Sequence, residues 1–185
     1  TISQYTAQTA VDISGNALSS ATADEVSAIA GAGSQSIVVD TQAPTAAIAN
    51  TDHEYNASSG VLTLSASDLL TLGATAGDDV TSQVDIAKLS WDVNQTGASL
   101  ETFAAADVSS VVVTDAETLT ITLTEAKRAD LAGTSNFGGL SAAADGLDIA
   151  AGFLSDNAGN ASEQNALDNA EVAMSDTDGP SITGF

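Results

Sequence analysis

Residues 109–124 read SSVVVTDAETLTITLT. Val111 and Val113 alternate along one arm. On the other, Leu119, Ile121 and Leu123 alternate with Thr118, Thr120, Thr122 and Thr124. A period of two sends successive side chains to opposite faces of a strand, here one aliphatic face and one hydroxyl-bearing face. The TDAE between the arms supplies turn-forming residues. The pattern predicts a hairpin at the centre of the fold, with Val111, Val113, Leu119, Ile121 and Leu123 in the core.

Short apolar runs rich in Val, Ile, Leu and Thr recur elsewhere, separated by Gly, Asn, Asp and Ser. They predict strands at Ser36–Asp40, Thr45–Ala49, Val61–Ala66, Lys88–Val93, Leu147–Leu154 and Glu171–Ser175. Helix is scarce. TEAKRADLAG at 124–133 has Thr124 as N-cap and Gly133 as a stop, which predicts one short helix. SDLLTLG at 67–73 reads as a helical turn, and TADEVSAIAGAG at 22–33 stays open between helix and loop. Trp91, alone of its kind, is expected in the core. The class is all-β, in the form of a sandwich.

That core has an unusual make-up. Hydrophobic residues form 43% of the chain and aromatic ones only 4%, so alanine and β-branched side chains dominate and bury little area each. Charge works against compaction: 25 acidic residues face 3 basic ones, a formal net charge of −22. A bound cation is one remedy, and a solvated acidic surface is the plainer reading. Lys88, Lys127 and Arg128 cannot neutralise a row of phosphates, which excludes nucleic acid, and an anionic membrane surface would repel the chain. There are no cysteines, hence no disulfides, Cys-ligated zinc or thiol catalysis. No apolar run is long enough to span a bilayer as a helix. There is neither an initiator Met nor a signal-peptide pattern, and the chain reads as a processed part of something longer.

One ending occurs twice. VDISGNAL at 11–18 matches SDNAGNAS at 155–162, and each is followed by an Asp and then a proline, in VDTQAPT at 39–45 and SDTDGPS at 175–181. The first copy has the longer interval, with 22–33 inserted. Repetition at this scale indicates tandem modules. Residues 1–40 are then the tail of a preceding repeat or an exchanged strand segment, 41–176 a complete module, and 177–185 the start of the next. The D-x-x-G-N followed by V-D-T-x-A-P-T resembles the junctions of bacterial immunoglobulin-like repeats, found in giant secreted adhesins, biofilm proteins and surface-layer or filament proteins. The resemblance implies an immunoglobulin-like β-sandwich with calcium at the junctions. Asp40 and Asp176 match the linker Asp, Asp12 and Asp156 the Asp before Gly-Asn, and Asn16 and Asn160 the Asn. Asp178, in Asp178-Gly179-Pro180, departs from the usual linker but adds a carboxylate.

Calcium takes six to eight oxygen ligands, and these segments are rich in them. No EF-hand is present, because Ala158 stands where that loop needs an oxygen. The competing reading is that Asp, Gly and Asn are turn formers. Asp52, Asp78, Asp79, Asp145 and Asp148 are weaker additions to a cation site. His53, the one histidine, lies in the polar TDHEY and reads as an exposed loop residue with no nucleophile signature near it. Carboxylate pairs abound, but aromatic platforms for carbohydrate are scarce, so no enzyme is expected. The triplets beginning at Asn56, Asn94 and Asn160 fit a glycosylation sequon of low specificity. Lys88 and Lys127 read as ordinary surface lysines.

Three functions follow as expectations. The first is a calcium-stabilised structural module of an extracellular bacterial adhesin or matrix protein, partnered by neighbouring repeats. The second is a subunit of a surface layer or filament, joined to identical subunits by strand addition. The third is a small ligand-binding module.

Overall fold

The alternation at 109–124 appears directly in the burial of its side chains. A computed structural model of the chain describes residues 40–97, 100–138 and 144–176, which belong to a unit beginning at Asp40. The strands are β1 (Ala47–Ile48), β2 (His53–Asn56), β3 (Val61–Ser67), β4 (Leu89–Asp92), β5 (Leu100–Thr102), β6 (Val108–Asp115), β7 (Thr118–Leu123), β8 (Gly146–Ile149) and β9 (Leu167–Ser175), with one α-helix among the described residues, α1 (Glu125–Gly133). The hairpin is β6–β7, in register Val111↔Ile121 and Val113↔Leu119, with irregularities near Val108 and Asp115. Val111, Val113, Leu119 and Ile121 are 0% exposed and Leu123 5%. Asp115 Oδ1 accepts the Glu117 N–H at 2.8 Å and tightens the turn.

Hydrogen bonding runs in the order β5-β4-β8-β9-β2-β3-β7-β6, with β1 also on β3. Every pairing is antiparallel except β2 with β9. The long β9 makes the sheet continuous. Its first half, from Leu167 to Glu171, pairs with β8, and its second half, from Val172 to Ser175, pairs with β2. The result is a curled, mostly β structure with mixed strand directions. Inside the curl, Trp91 meets Tyr55 edge-on at 5.1 Å between ring centroids and Phe137 at 5.0 Å. Three of the chain's seven aromatic side chains therefore sit in one cluster and offset the low aromatic content. Trp91 is in the core as expected.

The helix matches its expected span. Thr124 accepts the Lys127 N–H at 3.4 Å, Glu125 lies in the first turn, and Leu131 is buried. The turn at 67–73 is a 3₁₀ turn, Leu69–Leu72. Other segments differ from expectation. The strand expected to reach Leu154 stops at Ile149, because Gly152 at φ 74° turns the chain; Leu154 then bridges Val84. β1 keeps two residues of 45–49, and β9 starts ahead of Glu171, at Leu167. β2 and β5 are additional strands, too short and polar to show a period. β2 corrects the reading of His53: it is a strand residue only 1% exposed, not an exposed loop histidine. Lys127 is also corrected. It is 6% exposed, donates to the Thr102 carbonyl at 3.0 Å and lies over the Phe103 ring. The strand expected from Ser36, the 22–33 segment and the parts assigned to neighbouring repeats, 1–39 and 177–185, lie outside the described residues.

Candidate functional site

Asp156 opens a tight loop closed by a bridge between Ser155 and Ala161. Gly159, at φ 87°, gives the loop its left-handed corner. The Asp156 Oδ1 accepts the N–H groups of Ala158 at 2.9 Å and Asn160 at 2.8 Å. Its Oδ2 accepts from Asn160 Nδ2 at 2.9 Å, and the same Nδ2 donates to the Asp40 carbonyl at 3.3 Å. Partial burial pushes the Asp156 carboxyl up, but hydrogen bonds from the Asn160 side chain and from the backbone of Asn160, Ala158 and Gly159 outweigh it and hold the group below its ordinary value. Asn157 ties the loop to the Gly73 carbonyl at 3.1 Å. Asp40 Oδ1 accepts the Gln42 N–H at 3.0 Å, so the linker turns where it meets the loop.

Three of the expected site residues therefore come together: Asp40, Asp156 and Asn160. Asp176 does not join them. It follows the last residue of β9, which pairs with Asn56, and Ser58 Oγ donates to its Oδ1 at 2.8 Å. Asn56 in turn pairs with Val61, the first residue of β3, whereas β1 pairs with Ser67, the last. Entry and exit thus lie at opposite ends of a seven-residue strand, about 20 Å apart. Asp12, Asn16 and Asp178 lie outside the described residues.

The donor set at the entry end suits calcium in type. Two carboxylates, an amide and a backbone carbonyl are all hard oxygen donors. In number it falls short of six, and among the described residues no three His, Cys, Asp or Glu side chains gather as a metal-binding group. The Asn160 Nδ2 already bridges Asp40 and Asp156. A cation there requires the amide to turn and present its oxygen, with remaining ligands from water or from outside the described residues.

Several other carboxylates act as turn clips. Asp78 accepts from the Thr75 backbone and hydroxyl, and Asp79 from Thr81; these bonds hold both groups below their ordinary values. Asp52 accepts from the Thr51 hydroxyl in the turn before β2. Asp145 is 4% exposed and lies beneath Trp91, accepting from Trp91 Nε1, Asn94 N and Gly138 N. Asp92, not singled out from the sequence, is 1% exposed and accepts from Thr96 N and Gly97 N; the following VNQTG turn was its only signal. The three basic residues are also engaged: Lys88 with Asp85 and the Gly152 carbonyl, Lys127 as above, and Arg128 with Glu125.

Asp148 behaves differently. Burial, and to a lesser degree the neighbouring charges of Asp168 and Asp92, push its carboxyl above the ordinary value despite a bond from Asn169 N at 2.8 Å. A raised acid stabilises the fold below its unfolded pKa and loses that contribution as pH rises through the folded value. Relative to the unfolded chain, placing this group in its site therefore costs stability at pH values above its unfolded pKa. Asp148→Asn keeps an acceptor for Asn169 and removes the charge, so its melting temperature at pH 7 should exceed that of wild type. An equal or lower value by calorimetry contradicts this account.

No known family, curated protein or solved structure matches the chain.

Proposed function

We propose that the chain is a structural module of a tandem array in an extracellular bacterial adhesin or matrix protein, built as an immunoglobulin-like β-sandwich and stiffened by calcium at its joint. The observation that carries this reading is the entry end: the carbonyl of linker Asp40 accepts from Asn160, which Asp156 also holds, while the chain leaves from the opposite end of β3. Modules of that kind join head to tail, and each linker meets the D-x-x-G-N loop of the module it enters.

Strand order supports the sandwich. β2-β3-β7-β6 corresponds to the A-B-E-D sheet of immunoglobulin domains, and β5-β4-β8-β9 to a G-F-C sheet carrying one extra edge strand. Trp91 then falls on strand C, where that fold keeps its buried Trp. The edges support an array over strand addition. The outward N–H groups of Ala46 and Ile48 are capped by Thr71 Oγ1 and Gln164 Oε1, the 77–81 segment bonds along β6, and Lys127 covers the Thr102 carbonyl of β5.

Calcium should raise the melting temperature. At a hundredfold excess over its dissociation constant it adds about 2.7 kcal/mol to the folded state. Asp156→Ala should abolish the increment. Superimposable melts in calcium and in chelator, with no heat of binding, would sink the calcium reading. Sizing and electron microscopy under both conditions test the array. Filaments formed by the isolated chain would favour the lattice subunit instead.

A further inference from the structure

We propose that His53 is an acid-released latch between the entry segment and the sheet. The register of β1 on β3, Ala47↔Ser67 and Ile48↔Ala66, continues to Ala49 opposite Ser65. An antiparallel pair at that position exchanges two backbone hydrogen bonds. One is made directly, from Ala49 N to the Ser65 carbonyl at 2.9 Å. The return bond runs through the imidazole. Ser65 N donates to Nδ1 at 3.1 Å, and Nε2 lies 3.1 Å from the Ala49 carbonyl. A backbone N–H can only donate, so Nδ1 is the bare nitrogen and Nε2 carries the proton. The neutral ring is one rung of the ladder.

Protonation breaks that rung. The imidazolium has a proton on both nitrogens, and the new one faces the Ser65 N–H, donor against donor. Little stands ready to stabilise the charge. β1 and β3 carry no titratable side chain. The turn before β2 offers exposed Asp52, β2 itself exposed Glu54 and buried Tyr55, and β9 exposed Asp168 and Glu171 around the opposing Val172. Burial outweighs the Ala49 bond and Asp52 and lowers the ring's pKa from 6.5. The sign follows from linkage: a base held neutral contributes stability above its unfolded pKa and loses it as pH falls below that value toward the folded one. At neutral pH the latch is closed. In acid, β1 and the linker behind it detach from β3, whether or not the joint binds calcium.

Amide exchange of the full chain tests this. After correction for intrinsic rates, Ser65 and Ala49 should lose protection by up to about tenfold per pH unit as the pH falls from 6.5 toward the ring's lowered pKa, while Ile121 keeps its protection. His53→Gln retains a donor and an acceptor without titrating, and its Ser65 protection should stay flat with pH. Nitrogen NMR of the wild-type ring should report the Nε2–H tautomer at pH 7, and this measurement stands even if the variant fails to fold. The Nδ1–H tautomer, pH-independent Ser65 protection in wild type, or the same acid loss in a folded His53→Gln would each overturn the latch.

Discussion

Replacing Asp145 with alanine should destabilise the protein by about 3–5 kcal/mol. The carboxylate is 4% exposed and accepts three N–H groups from two stretches of chain: Trp91 Nε1 at 2.9 Å, Asn94 N at 3.0 Å and Gly138 N at 2.9 Å. Truncation orphans all three donors, and the Trp91 donor is itself fully buried. Each unsatisfied donor costs about 1–3 kcal/mol, and shared relaxation keeps the total below a simple sum. Asp145→Asn should damage the fold in the same direction. Both carboxylate oxygens serve as acceptors, so either orientation of the amide puts an NH₂ against an N–H. Fluorescence of Trp91, the only tryptophan, gives a direct readout of denaturant melting. A loss below about 1 kcal/mol for the alanine variant would show that water replaces the carboxylate and that the site is not dry.

Residues 109–124 were legible because long strands with one buried face write a period of two into the sequence. The helix was legible from Thr124 and Gly133, because caps are local chemistry. β2 was hidden for a related reason. It has four residues, three of them polar, and His53 is buried by a ring that bonds Ala49 four positions before it and Ser65 twelve positions after it, a pairing that only the sheet brings about. Asp145 illustrates the same limit. An acid before a glycine looks like a turn former, and its role under Trp91 depends on partners from Asn94 and Gly138. At the entry end the repeated motif marked Asp40, Asp156 and Asn160, which do meet. It did not reveal that Asp40 belongs with the loop over a hundred positions later, nor that Asp176 lies at the other end of β3. Motif spacing orders residues along the chain, and only the strand directions decide which end of the sheet each reaches.

Ile121→Ala should cost about 2–5 kcal/mol. Ile121 is 0% exposed at the middle of β7, between Leu62 of β3 and Val111 of β6, both also 0% exposed. The lost methylenes remove buried apolar area, and the cavity left behind adds a second term that depends on how far the surroundings collapse. Collapse is restricted here. β7 is hydrogen-bonded on both edges, so its backbone cannot shift toward the gap without breaking a ladder on one side. The upper part of the range is therefore expected. Thr122→Ala, on the opposite face of the same strand and only partly buried, is the control. It tests strand propensity without a cavity and should cost less than about 1 kcal/mol. Equal losses for the two variants in denaturant melting would mean that the two faces of β7 are energetically alike, and the assignment of Ile121 to the core would fail.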